Sequence, residues 1–371
     1  MELSELSKIK PRHIKLLQEA GINSIEALAM SVPRQIEDIQ GMSENASKML
    51  IWDARDTLNM SSFRQVSEIE ENYDFLTTGS STFDAILEGG ISTGRITEVY
   101  GAFKSGKTNL AHTLAVTCQL PEEKGGLNGA ALYIDTENTF SRPKIERIAR
   151  RFGIPKRKCL EHIFHARIFS SDHQMQMIRV AETAIKEKHA RLVVVDSLMA
   201  LLRSEYLGIG MLAARQQVLN RMIHDLSRLA ETYNVAVLLT NQVTTKMKGV
   251  FSGNDAIGGN IVAHGCHFRI QFKAKGFSAN SSLERKAVIV DAPDLAPEEA
   301  SFFITEAGIC DTEEITYLLE ESEDPKTKSK AKKAPAKKPI VLKSASEIDD
   351  PLEAVEKALT KSKSKAKAKA K

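Results

Sequence analysis

Cysteine is scarce in this 371-residue chain and never clustered. Cys118, Cys159, Cys266 and Cys310 are widely separated, with no C-x-x-C pair, so neither a disulfide framework nor a cysteine zinc site is indicated. They read as buried thiols. Long apolar runs are missing too. Stretches such as Leu192–Val195 and Val235–Leu239 fall far short of the roughly 20 residues a membrane helix needs, so no membrane partner is expected. Met1–Lys10 has neither the apolar block nor the cleavage-like run of a secretory signal, and a cytoplasmic location follows.

Hydrophobic residues make up 42% of the chain, enough for one large globular domain with smaller attachments. The formal net charge of +3 conceals a split. Residues 325–371 hold 15 Lys against 5 acidic residues, a local +10, which leaves −7 for the rest. A mildly acidic body with a basic tail is expected, and a polyanion such as nucleic acid is a natural partner for that tail. From about Ser322 the Lys, Ala, Ser and Pro content leaves too little apolar surface to offset ordering entropy, so 322–371 reads as a disordered basic tail. Within it, Leu352, Val355 and Leu359 share one helical face, a short helix that a binding partner would stabilise.

Residues 1–58 carry turn signals at Lys10-Pro11, Gly21, Pro33 and Gly41 between segments of helical apolar spacing, which predicts a small all-helical domain. Two helix-turn-helix units can be drawn, turning near Lys8–Arg12 and near Ile39–Ser43. The second resembles a helix-hairpin-helix, whose turn amides can approach a DNA phosphate; a purely structural bundle fits the same spacing. Residues 59–76 read as a linker.

From 77 to 321, β-like runs alternate with helical stretches, the pattern of a doubly wound α/β domain. Strands are expected at Ile96–Tyr100, Ala130–Asp135, Leu192–Asp196 and Val235–Thr240. Helices are expected at about Lys107–Gln119, Lys144–Phe152, His173–Lys188 and Leu212–Tyr233. Later runs, Cys266–Lys273, Lys286–Asp291 and Ser301–Thr305, lack long intervening helices and are expected to extend the sheet in antiparallel fashion.

Gly101, Ala102, Phe103, Lys104, Ser105, Gly106, Lys107 and Thr108 spell G-x-x-x-x-G-K-[ST] between a predicted strand and a predicted helix, the context of a phosphate-binding P-loop. The glycines let backbone N–H groups converge on phosphate oxygens. Lys107 supplies a cation near the β- and γ-phosphates of ATP, and the Thr108 hydroxyl can ligate Mg²⁺. Asp196 ends the apolar run L-V-V-V-D, where a carboxylate can hold the metal's water shell. Glu137, two residues beyond the strand in Y-I-D-T-E, is the candidate catalytic carboxylate, able to orient or deprotonate a water; Asp135 is its rival.

With these motifs, the segments G-G-I-S-T-G-R-I-T-E-V-Y-G-A-F-K-S-G-K-T (89–108), A-L-Y-I-D-T-E-N-T-F (131–140), L-V-V-V-D-S-L-M-A-L-L-R-S-E-Y (192–206), L-A-A-R-Q-Q-V-L-N (212–220), T-N-Q-V (240–243) and I-G-G-N-I-V-A-H (257–264) resemble the RecA/RadA recombinase family, its archaeal RadA branch in particular. The resemblance runs in family order over about residues 3–315. It implies a RecA-like P-loop ATPase domain and a helical homo-oligomeric filament on single-stranded DNA, which pairs that strand with a homologous duplex and binds ATP between protomers. It also implies nucleoid association, with recombination mediator proteins as candidate partners.

By the same similarity, Glu137 activates water, and Gln242 senses the γ-phosphate and reports to the loop 244–260. Arg203, Lys246, Lys248 and Asn254 become candidate DNA contacts. His264 corresponds to a family histidine that takes part in ATP sensing. Asp291 and Pro293 belong to a segment that caps ATP from the adjoining subunit. Phe63 and Val66 correspond to the family's oligomerisation tether.

Three departures stand out. Ile209 replaces an arginine of the first DNA loop, Val66 replaces a smaller alanine, and T-F-S-R-P (139–143) has an apparent extra residue that blurs whether Arg142 reaches the nucleotide. Ile209 and Val66 keep open a second reading, a paralogue or mediator that assists another recombinase. Deleting residues 325–371 should weaken DNA binding most at low salt. For every phosphate that the truncated chain no longer neutralises, the log-affinity against log-salt slope should shrink in magnitude by about 0.7 on single strands, which titrations at several salt concentrations will measure.

Overall fold

The computed structural model describes residues 1–63, 65–68, 73–245, 254–274 and 283–318. The Lys-rich tail lies outside the described residues. Met1–Glu321 forms one compact unit.

Within residues 1–58, helices α1 (Pro11–Glu19), α2 (Ile25–Ala29), α3 (Pro33–Glu37) and α4 (Glu44–Thr57) enclose a core of Leu17, Ile25, Leu28, Ile36, Leu50 and Ile51. Local chemistry sets their starts. Pro11 and Pro33 occupy first helical positions, where the missing N–H costs nothing, and the Ser24 and Ser43 hydroxyls accept from Ala27 N and Ala46 N. The α3–α4 turn has Gly41 at φ +99°, so this pair has the helix-turn-helix form that the spacing predicts. The proposed unit at Lys8–Arg12 does not exist. Only a 3₁₀ turn, Leu3–Glu5, precedes α1, because Leu3 and Leu6 are spent anchoring the N-terminus in the core.

The linker region holds a 3₁₀ turn at Val66–Glu68. Its last two residues form strand β1 (Phe75–Leu76), which pairs antiparallel with β2 (Ile91–Ser92) around α5 (Ser81–Ile86).

The α/β body is a ten-stranded mixed sheet. Its strands are β3 (Ile96–Gly101), β4 (Ala130–Asp135), β5 (Ile163–Arg167), β6 (Ala190–Asp196), β7 (Ala236–Thr245), β8 (Asn254–Ala256), β9 (Phe268–Ala274), β10 (Glu284–Asp291), β11 (Glu299–Thr305) and β12 (Gly308–Cys310). The order is β12-β11-β10-β9-β3-β7-β6-β4-β5, with β8 paired to β7. Helices α6 (Lys107–Thr117), α7 (Arg142–Arg151), α8 (Lys156–Glu161), α9 (Ser171–Lys188), α10 (Ala200–Glu205), α11 (Leu212–Tyr233) and α12 (Asn260–Gly265) complete the unit.

Strand β6 explains the layering. Leu192 and Val194 join Leu110, Leu114 and Phe302 in one core, while Val193 and Val195 join Ile178, Leu219 and Leu226 in the other. Both faces of the sheet are covered, as an apolar run without alternation requires.

The expectation that all three late strands run antiparallel is corrected at β9, which runs parallel to β3. The short helix α12, missed in the sequence, lies in the crossover from β7, and a crossover returns the chain in the same direction. Strands β10 and β11 are antiparallel as expected, and β12, which the sequence reading did not include, adds a further antiparallel strand.

A charge interrupts the apolar run of β3. Glu98, in the middle of β3 and fully buried, accepts from Arg269 Nε and Asn241 Nδ2, each at 2.8 Å. Removing Arg269 leaves a carboxylate in the sheet without its ionic partner. Arg269→Ala should therefore lower unfolding stability by about 3–5 kcal/mol, read by urea denaturation.

Candidate active site

Strand register brings the motifs together. Gly101, the last residue of β3, sits beside Gln242 of β7, and Asp135, the last of β4, sits beside Asp196 of β6. These four parallel strands thus deliver three polar residues and the start of the glycine loop to one edge of the sheet, where α6 begins at Lys107.

The cleft there has a volume of about 430 Å³ and is lined by all eight residues of Gly101–Thr108, with Asn109, Glu137, Thr139, Asp196, Thr240, Gln242 and Val243. Its loop is tightly bound to the sheet. A Cβ on Gly101 would stand 2.5 Å from Phe272 O, and one on Gly106, at φ +108°, would stand 2.6 Å from Ile304 Cδ1. Only glycine fits either position. Lys107 Nζ is folded back onto Gly101 O (2.9 Å), Ala102 O (3.0 Å) and Ser105 Oγ (3.4 Å). Burial lowers the lysine pKa, and Asp196 and Glu137 act against that shift.

Asp196 is 3% exposed, and its carboxylate is held by hydroxyls. Oδ2 accepts from Tyr133 Oη (2.9 Å) and Thr139 Oγ1 (3.3 Å), and Oδ1 accepts from Thr240 Oγ1 (2.5 Å). The Asp196–Ser197 peptide bond is cis. Glu137 faces the same cleft, where its Oε1 accepts from Ser197 Oγ (2.7 Å) and Gln242 Nε2 (3.0 Å).

Asp135 is engaged elsewhere. Its oxygens accept from the backbone N–H groups of Glu137 (3.1 Å), Thr139 (3.2 Å) and Phe140 (3.2 Å), and it pairs with His165 Nε2 (3.2 Å). These bonds keep its pKa below the usual range although burial acts to raise it. It braces the turn that presents Glu137.

A larger cavity of about 570 Å³ opens beside α7 and α8. Arg142 lines it rather than the nucleotide cleft and is paired with Glu146 at 3.0 Å; Lys156 joins the same carboxylate at 2.7 Å, and Arg157 pairs with Glu161 at 2.8 Å. Each of those cations already has a carboxylate partner, two of them sharing Glu146, and no glycine loop borders the cavity.

A model of the Rad51 family matches residues 71–312. The chain belongs to the Rad51 family. It is 38% identical over 328 residues to the DNA repair and recombination protein RadA of Cenarchaeum symbiosum, covering 86% of this chain and 81% of that protein. It is also 38% identical over 317 residues to the protein of the same name from Aeropyrum pernix, covering 84% of this chain and 97% of the relative.

Other residues singled out by the resemblance to the RecA/RadA family are not among the residues that line this cleft. His264, in the last turn of α12, is exposed, and neither it nor Asp291 or Pro293 is among the lining residues. Because β10 runs against β9 and β9 runs with β3, Asp291 ends its strand at the opposite edge of the sheet from Gly101. Phe63 is fully exposed and Val66 is 84% exposed. Ile209 is 92% exposed in a 3₁₀ turn between α10 and α11. Arg203 is on the surface of α10, with Nη1 donating to Gln242 Oε1 at 3.1 Å. Asn254 opens β8, with its backbone opposite Thr245. Lys246 and Lys248 lie outside the described residues.

Sequence reasoning missed Ser197, Tyr133, Thr139 and Thr240 as partners of the two acids. It also missed His112, buried behind the cleft, stacked on Tyr133 and accepting from Ser141 N through Nε2 at 3.1 Å. Burial pushes the His112 pKa down to about 4. Between about pH 6.5 and 4 the unfolded chain therefore binds a proton that the folded chain does not, so this histidine makes stability fall as pH falls. The slope is at most about 1.4 kcal/mol per pH unit. His112→Gln should flatten the pH dependence of the urea midpoint in that window.

Proposed function

We propose that the chain is a DNA-dependent ATPase and recombinase that forms filaments on single-stranded DNA and promotes homologous pairing and strand exchange with double-stranded DNA. The observation that carries this reading is the convergence of Lys107, Asp196, Glu137 and Gln242 on one glycine-walled cleft in a member of the Rad51 family. Both relatives compared bear the name DNA repair and recombination protein.

The cleft fits ATP with Mg²⁺. The close approach of Gly101 and Gly106 to the sheet leaves backbone, not side chain, facing the space at the start of α6, the arrangement that accepts phosphate. Thr108 and Asp196 are the residues that would hold Mg²⁺, which when bound offsets the negative charge of the phosphates. Lys107 exchanges the loop carbonyls for phosphate oxygens and meets the charge that develops on the oxygen departing with ADP. Glu137 orients the attacking water and takes its proton.

The remaining residues suit assembly and DNA binding. Phe63, with Val66 beside it, is an aromatic anchor for a pocket on the next subunit. His264, Asp291 and Pro293 would act on a neighbour's nucleotide rather than their own. Arg203, Lys246, Lys248 and Asn254 are the DNA contacts in this reading. Mediator proteins are compatible with the exposed apolar residue Ile209, which stands where the family carries an arginine. That same substitution favours the second reading, a paralogue that binds ATP and DNA while assisting another recombinase.

Glu137→Gln should retain ATP binding and reduce DNA-stimulated hydrolysis by about 100-fold or more, the usual contribution of a positioned base. Turnover, nucleotide binding and joint-molecule formation measured side by side decide the matter. Undiminished hydrolysis in this variant removes Glu137 from its role, and a wild type that hydrolyses ATP on DNA without forming joint molecules selects the paralogue.

A further inference from the structure

Gln242 is held from two sides. Arg203 Nη1 donates to its Oε1 at 3.1 Å, and its Nε2 donates to Glu137 Oε1 at 3.0 Å. A guanidinium can only donate, and an ionised carboxylate can only accept. The amide therefore has one orientation for as long as Arg203 stays in place, with its nitrogen against Glu137.

Ser197 Oγ donates to the same Oε1 at 2.7 Å, so two donors converge on one oxygen of the carboxylate. Both donors occupy lone pairs of that oxygen, one of the two on the carboxylate that could accept a proton from water. They also fix its position.

Arg203 is in turn presented from a braced element. Glu205, at the end of α10, accepts from Ser171 N at 2.7 Å and also from the Ser171 hydroxyl, which ties α10 to the start of α9. The guanidinium is exposed, and its bond to Gln242 uses one of its five N–H donors on a neutral oxygen. A phosphate, which is charged and accepts in bidentate fashion, is the better acceptor.

We infer that Arg203 is a positioning residue for Glu137, acting through Gln242, and that nucleic-acid phosphate competes with Gln242 for it. Without nucleic acid, Arg203 holds the amide against the carboxylate and hydrolysis is slow. A phosphate that draws the guanidinium away frees the amide to turn and leaves Glu137 with one donor fewer. This link runs through the segment before the first loop and is separate from the covalent path out of Gln242 into residues 244–260. The inference rests on the reading of the chain as a DNA-dependent ATPase with Glu137 as its base.

Steady-state ATP turnover of the full chain, with and without single-stranded DNA, tests it in wild type, Arg203→Ala, Arg203→Lys and Arg203→Ala combined with Glu137→Gln. Arg203→Ala should raise DNA-free kcat about fivefold, the size of one missing hydrogen bond, with KM for ATP changed by less than about twofold. The ratio of DNA-stimulated to DNA-free turnover then falls toward one. Arg203→Lys, which keeps a cation but places all its donors on one nitrogen, should give intermediate values. The double variant should be as slow as Glu137→Gln alone, because the added turnover passes through that carboxylate. A folded Arg203→Ala protein, checked by its thermal transition, whose DNA-free kcat is equal to or below wild type overturns the inference. A wild type without DNA stimulation overturns the reading beneath it, and a double variant that keeps the raised turnover overturns the route through Glu137.

Discussion

A sheet buried on both faces can carry charge cheaply only at the ends of its strands, and that constraint organises this molecule. The apolar runs of β4, β6 and β7 give way to polar groups that enter the core only at a cost, and that of β3 gives way to the glycine loop. Because the strands are parallel and in register, Gly101, Asp135, Asp196 and Gln242 arrive at one edge together. The cleft is thus a result of topology before any individual side chain is considered. Glu98 is the exception, a fully buried mid-strand carboxylate, and it is accompanied by Arg269 and Asn241. Asn241 also donates to Ile257 O at 2.5 Å and accepts from Gln242 N at 2.8 Å, so the buried pair fixes the strand from which Gln242 projects.

Elements with strong period or continuous apolar character were legible in the sequence. Ala130–Asp135 and Leu212–Tyr233 have the bounds expected of them, and the glycine loop occupies the turn between β3 and α6. Strand β5 was not legible, because I-F-H-A-R at the sheet edge is half-buried and interrupts its apolar residues with His165 and Arg167. The short α12 was hidden by glycine-rich flanks, and with it went the direction of β9. In the cleft, the charged residues were found because each ends an apolar run or belongs to the P-loop pattern. Their hydroxyl partners were not, since Tyr133 and Thr240 read simply as strand formers and Ser197 as a turn residue. Which of Asp135 and Glu137 faces the space is likewise a matter of a tight turn that no periodicity encodes.

Family membership and the geometry of one subunit answer different questions. The Rad51 family model covers the α/β body from residue 71 to 312, and the two acids, the lysine and the glutamine meet within it. His264, Asp291, Pro293 and Phe63 are exposed and are not among the residues that line this cleft.

The bracing of Glu137 by Asp135 has a consequence for timing. Three backbone N–H groups of the turn are satisfied by one carboxylate, so the ordering of that turn is completed when the chain folds and contributes no reorganisation later. The carboxylate's place in space is thereby settled long before any ligand arrives. What remains adjustable is the number of donors that touch it. If the site is controlled as inferred above, the control is chemical rather than mechanical, exercised by altering what an acid is bonded to and not by moving it.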